Sequence, residues 1–115
     1  MSSAPERTVF VVDDDAAVRG AICLLLKAIG LEVESFASAF EFLERFRPGA
    51  AGCVLLDIKM PGMSGLALQE ELTKRGLDVP IVFLTAHGDV PMAVRAFAED
   101  RLKIEGRRAR VITTP

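Results

Sequence analysis

Three runs of four unbroken apolar residues, Val9–Val12, Cys53–Leu56 and Ile81–Leu84, constrain this chain more than any other feature. Runs this short, drawn mostly from Val, Ile, Leu and Phe, read as β-strands. Unbroken apolarity in place of alternation is what a strand shows when both of its faces are covered. A weaker run, Val33–Phe36, preceded by Leu31-Glu32, makes a fourth buried strand. Strands covered on both faces belong to a parallel sheet, so helices are required between them.

The intervening segments have helical period. Ala16–Ile29 places Val18, Ile22, Leu25, Leu26 and Ile29 on one stripe, with Arg19 and Lys27 away from it, and Gly30 stops it. Ser38 can cap a second helix with Phe42, Leu43 and Phe46 on its apolar face, ended by Pro48-Gly49. Ser64 can cap a third, from Leu66 to about Lys74, ended by Gly76. Asp89 before Val90-Pro91 is an N-cap followed by a proline in the first turn, where a missing N–H does no harm. The order β-α-β-α-β-α-β-α predicts a doubly wound α/β sheet with right-handed crossovers.

A chain of 115 residues suits one domain with one core. Half the residues are hydrophobic and 26% are charged, the balance of a globular protein and not of a disordered one. Apolar runs stop far short of the roughly 20 residues that span a bilayer. The start, Met1-Ser2-Ser3-Ala4-Pro5-Glu6-Arg7, lacks the basic and apolar segments of a signal peptide, so a cytoplasmic location without membrane contact is expected. Cys23 and Cys53 lie in apolar stretches without metal-ligand spacing and are expected to be buried free thiols. The net charge of −2 hides an asymmetry: nine Lys/Arg stand against thirteen Asp/Glu up to Ala98, and five against three beyond it.

Open α/β sheets bind ligands beyond the carboxyl ends of their strands. The first strand runs into Asp13-Asp14-Asp15, the third into Asp57 and the fourth into Thr85. Mg2+ prefers oxygen, takes one or two carboxylates and keeps several waters. Asp14 and Asp57 can supply the carboxylates, Asp13 can act through water, and the backbone carbonyl of Lys59 can add an oxygen. Asp15 more plausibly caps the first helix. An aspartate can also attack phosphorus, provided that charge on the transferred group is neutralised, and the Thr85 hydroxyl is placed to help. Each element also has a plainer reading, since Asp commonly caps helices, Thr commonly ends strands, and a lone loop His87 is seldom a ligand.

Taken together, VVDDDAAVR, LLDIKMPGMSG and PIVFLTAHGDVPMAV resemble the receiver domain of two-component response regulators, and the third stretch resembles the FixJ-type transcriptional regulators. The resemblance covers roughly residues 7–98. It implies a flavodoxin-like or CheY-like sheet of order 2-1-3-4-5 and Asp57 as phosphoacceptor. It makes Asp13 and Asp14 the acidic Mg2+ pair, Lys59 the carbonyl donor and Thr85 the switch hydroxyl. A sensor histidine kinase would be the phosphate donor, with slow self-hydrolysis but no turnover enzyme. Dimerisation would follow through the face that begins at His87-Gly88-Asp89, and DNA contact through an output domain that these residues do not include.

The match breaks after Ala98, where the family carries a fifth strand with an aromatic residue, a Lys-Pro pair and a fifth helix. Residues 99–115 are basic and contain no aromatic residue. Without gaps, Arg107 takes the place of the phosphate-binding lysine. A second alignment makes Arg110–Thr113 the fifth strand. The sequence therefore divides into a receiver over 1–98 and an atypical tail over 99–115, with strand and helix five missing or atypical. The tail is an altered terminus or, alternatively, a fourth helix extended from Glu99 to Arg110. The expectation is slow phosphotransfer and an exposed sheet edge that invites a non-standard or swapped homodimer. Two other readings stand beside the phosphorylated receiver: a pseudo-receiver that only mediates contacts, and an aspartate-nucleophile phosphatase of the haloacid-dehalogenase type. For the phosphatase, Asp57-Ile58-Lys59 lacks the second acid of the D-x-D motif.

Overall fold

The structure is a computed structural model that describes residues 8–46, 52–57, 62–77, 79–84, 90–101 and 109–112. Nine elements alternate along it: β1 (Thr8–Val12), α1 (Ala16–Ala28), β2 (Glu32–Phe36), α2 (Ala39–Arg45), β3 (Cys53–Asp57), α3 (Gly65–Lys74), β4 (Ile81–Leu84), α4 (Val90–Arg101) and β5 (Ala109–Ile112). The strands form one sheet of order β2-β1-β3-β4-β5, and every neighbouring pair is parallel. The doubly wound sheet expected from the apolar runs is therefore present.

Strand pleat sorts the apolar runs into two cores. Val9, Val11, Cys53, Leu55, Val82 and Leu84 point to one face, where Ile22 and Leu26 of α1 meet Ala93, Val94 and Phe97 of α4. Phe10, Val12, Val54, Leu56, Ile81 and Phe83 point to the other, against Ala39 and Phe42 of α2 and Leu68 and Leu72 of α3. Phe42 is the hub of the second core, with its ring centroid 6.1, 5.2 and 5.0 Å from those of Phe10, Phe36 and Phe46. Cys53 is buried and Cys23, expected to be buried, is half-buried.

Helix ends follow the polar punctuation closely. The Asp15 carboxylate accepts from the backbone N–H groups of Ala17 and Val18, Ser38 Oγ from Glu41, and Ser64 Oγ from Ala67. At the far end of α1, Gly30 has φ of 90°, its N–H donates to Lys27 and that of Leu31 donates to Leu26. That pairing is the Schellman arrangement, which needs a left-handed residue after the helix. Gly76 and Leu77 repeat it on α3. Pro48-Gly49 and Asp89, the expected end of α2 and cap of α4, lie outside the described residues. Gly52 serves closeness of approach: a Cβ there would stand 2.2 Å from the Thr8 carbonyl oxygen, so only glycine lets β3 start beside β1.

Four expectations need correction. The second strand is not a buried one, because β2 lies at the sheet edge with Glu32, Glu34 and Ser35 exposed and only Phe36 buried. The fifth strand is not missing: Ala109–Ile112 pairs with β4 from Ile81↔Ala109 to Leu84↔Ile112, so β4 is not the open edge. This agrees with the second alignment of the tail to within a residue. The fourth helix runs through Ala98 as far as Arg101, not to Arg110.

The fourth correction concerns handedness. From β1 to β2 the chain steps one way across the sheet with α1 on one face. From β2 to β3 and from β3 to β4 it steps the other way with α2 and α3 on the opposite face. Reversing both step and face preserves hand, so these three crossovers share one. From β4 to β5 the chain keeps the second direction, yet α4 lies on the face of α1. This crossover therefore has the opposite hand, against a strong general preference for right-handed connections. Among the described residues no helix follows β5, and the apolar side chains of α4 cover Val82 and Leu84 beside α1.

Candidate functional site

The carboxyl ends of β1 and β3 are neighbours because these strands pair in register, Val12 opposite Leu56. One residue further along each strand stand Asp13 and Asp57, both buried, at 1% and 7% exposure, whereas the other buried side chains among the described residues are apolar. Asp14, next along the turn, is exposed. Each of the three offers a carboxylate oxygen, and these oxygens lie within 4.8 Å of one another. The sequence named these three acids, and the fold brings them together.

The turn that carries two of them is held at several points. The Asp13 N–H donates to the Phe36 carbonyl of β2 at 3.2 Å. Asp13 Oδ1 accepts from the Asp15 N–H at 2.9 Å. Asp15 faces the other way and caps α1, as its position suggested. The run of three aspartates thus divides into two members of the acid cluster and one helix cap.

Buried like charges are costly. Two carboxylates separated by about 5 Å repel by on the order of 3 kcal/mol at an effective dielectric of about 20, and by less where water screens the exposed Asp14. A cluster of this kind is relieved by a cation or by protonation. Three hard oxygen donors with no nitrogen or sulfur among them suit a small divalent ion of the Mg2+ or Ca2+ type over Zn2+ or Cu2+.

Lys59, Thr85, His87 and Arg107 lie outside the described residues, so the part of the site contributed beyond β3 and β4 rests on the sequence alone. One described residue was missed at the sequence level. Arg19, noted only as off the apolar stripe of α1, donates from Nη1 to the Asp13 carbonyl oxygen at 2.7 Å. The available signal was a cation in the first turn of a helix, where the helix dipole disfavours positive charge.

Residues 9–103 match the family described as the response regulator receiver domain. Nodulation protein W of Bradyrhizobium diazoefficiens is 47% identical over 88 residues, which is 76% of this chain and 39% of that protein. The transcriptional regulatory protein FixJ of Azorhizobium caulinodans is also 47% identical over 88 residues, 76% of this chain and 42% of that protein. The crystal structure of the response regulator TrrA of Thermotoga maritima, in complex with Mg2+ and BeF, superposes with a TM-score of 0.68 at 29% identity, covering 94% of this chain and 87% of that one. The chain thus spans well under half the length of the two curated relatives.

Proposed function

The chain belongs to the response regulator receiver family, and on that premise we propose that Asp57 is its phosphoacceptor, served by Mg2+ held among Asp13, Asp14 and Asp57. The observation that carries this reading is the convergence of the three carboxylates at the paired ends of β1 and β3. Magnesium–oxygen bonds of about 2.0–2.1 Å put oxygens on a shared ion within roughly 4.2 Å of one another. The cluster, whose oxygens lie within 4.8 Å, needs only slight convergence to meet that limit. Likeness to a receiver crystallised with Mg2+ and BeF supports the same ion.

In the proposed reaction a carboxylate oxygen of Asp57 attacks phosphorus and forms a P–O bond. The P–N bond of a phosphohistidine on a sensor kinase breaks, and the departing imidazole takes up a proton from solvent. When bound, Mg2+ neutralises charge on the transferred oxygens. Asp13 and Asp14 hold the acidic corner in which this happens. Lys59 contributes its backbone carbonyl to the cation, and the Thr85 hydroxyl donates to the phosphoryl group once it is attached. The phosphorylated domain then acts as a signal, in the cytoplasm, for self-association and for a transcriptional output of the kind FixJ carries. Association of two copies, through a non-standard or exchanged β5 edge, belongs to the same proposal.

A second reading, a receiver that mediates contacts without phosphorylation, is favoured by one observation: the opposite-handed last crossover, which places α4 on the α1 face. Intact-mass measurement after incubation with acetyl phosphate and Mg2+ separates the two. Wild type is expected to gain one phosphoryl group, and the gain is expected to vanish in Asp57→Ala and on chelation of the metal. No gain in wild type, or an equal gain in Asp57→Ala, would refute the phosphoacceptor reading.

A further inference from the structure

We propose that Arg19 is a positioning residue for the acidic corner: its guanidinium, bound to the Asp13 carbonyl, fixes the peptide that joins Asp13 to Asp14 and so sets cation affinity. This rests on the reading of the cluster as a Mg2+ site.

Arg19 is anomalously placed. It lies in the first turn of α1, where its backbone N–H donates to the Asp15 carbonyl at 2.8 Å. A cation there is opposed by the positive end of the helix dipole, so a solvated arginine would gain by leaving. The side chain instead turns back past the cap, over a sequence separation of six, and donates to the Asp13 carbonyl at 2.7 Å. It is half-buried, so the bond is partly shielded from water.

That carbonyl belongs to the peptide unit between two cluster acids. The Asp13 N–H is tied to β2 and its Oδ1 to the Asp15 N–H, so Asp13 is held before Arg19 is considered. The plane of the following peptide, which aims Asp14, has the Arg19 contact as its fastener. Asp14 is exposed, so packing alone does not hold it, and a fixed peptide plane keeps its carboxylate near Asp13 and Asp57. Groups that orient ligands without touching the ion commonly alter metal affinity by roughly 10–100-fold when removed.

Two effects of Arg19 on a cation have opposite signs, and the test turns on which dominates. As a fastener it strengthens binding, whereas as a nearby positive charge it weakens binding. The fastener role predicts that Arg19→Ala weakens Mg2+ binding about tenfold in calorimetric titration, the lower end of that range. Arg19→Lys, which keeps a charged donor, is expected to recover part of the loss. Ser64→Ala, which removes the α3 cap at a distance, serves as a destabilised control expected to keep wild-type affinity.

Unchanged or tighter binding in Arg19→Ala would overturn the proposal. So would an equal loss in Ser64→Ala, which would make affinity a measure of overall stability, or no recovery in Arg19→Lys, which would assign the loss to missing volume. Absence of Mg2+ binding in wild type would overturn the cation-site reading itself, and this proposal with it.

Discussion

The corner where β1 and β3 end and the crossover from β4 to β5 sit on one sheet, yet they are put together differently. At the corner, strands flanked on both sides deliver Asp13 and Asp57 side by side, and the Asp15 cap and the Arg19 contact pin the intervening turn. In the crossover, α4 is held by packing of Ala93, Val94 and Phe97 against the α1 face, and its connection has the opposite hand to the other three. Local polar bonds specify the first region and apolar coverage specifies the second. A site can therefore be preserved at one end of a sheet while the far end is laid out in another way.

The largest expected effects lie in the two cores. Phe42 and Phe97 are both fully buried, one in the α2/α3 layer and one in the α1/α4 layer. Truncation of either to alanine is expected to cost about 3–5 kcal/mol in denaturant unfolding. A cost near zero for Phe97→Ala, with a full cost for Phe42→Ala, would mean that α4 does not pack on the α1 face in solution. Loss of phosphorylation in Asp57→Ala with stability retained would place the phosphoacceptor in the first region.

The smallest effects concern the caps. Ser38→Ala and Ser64→Ala are each expected to lower stability by roughly 1 kcal/mol, because each hydroxyl satisfies a first-turn N–H. Both should leave Mg2+ binding at the acid cluster unaltered. If thermal unfolding of either variant matched wild type, the caps would not be what fixes these helix starts.

Much of the first region was legible in the residues themselves. Unbroken runs announced β1, β3 and β4, and Ser38, Ser64, Gly30 and Gly76 marked helix ends that the structure places at the same residues. The acids were legible because strand-end carboxylates converge once two parallel strands are neighbours. The weak run Val33–Phe36 was misjudged, since its Glu34 and Ser35 point to an edge and not to burial. The last crossover was not legible, because the amphipathic pattern of α4 says which side of the helix is apolar but not which face of the sheet receives it. Arg19 was overlooked for a related reason: a contact to a backbone carbonyl six residues back leaves no periodic trace.

If Asp13, Asp14 and Asp57 act as one preassembled cation site whatever the layout of the last crossover, then in a titration of 15N-labelled protein with Mg2+ the amide resonances of Asp13, Asp14, Asp15 and Asp57 shift together along a single binding curve, in wild type and in Phe97→Ala alike. Separate curves for the two strand ends, or shifts scattered over the exposed acids of β2 and α3 with none at Asp57, would contradict it.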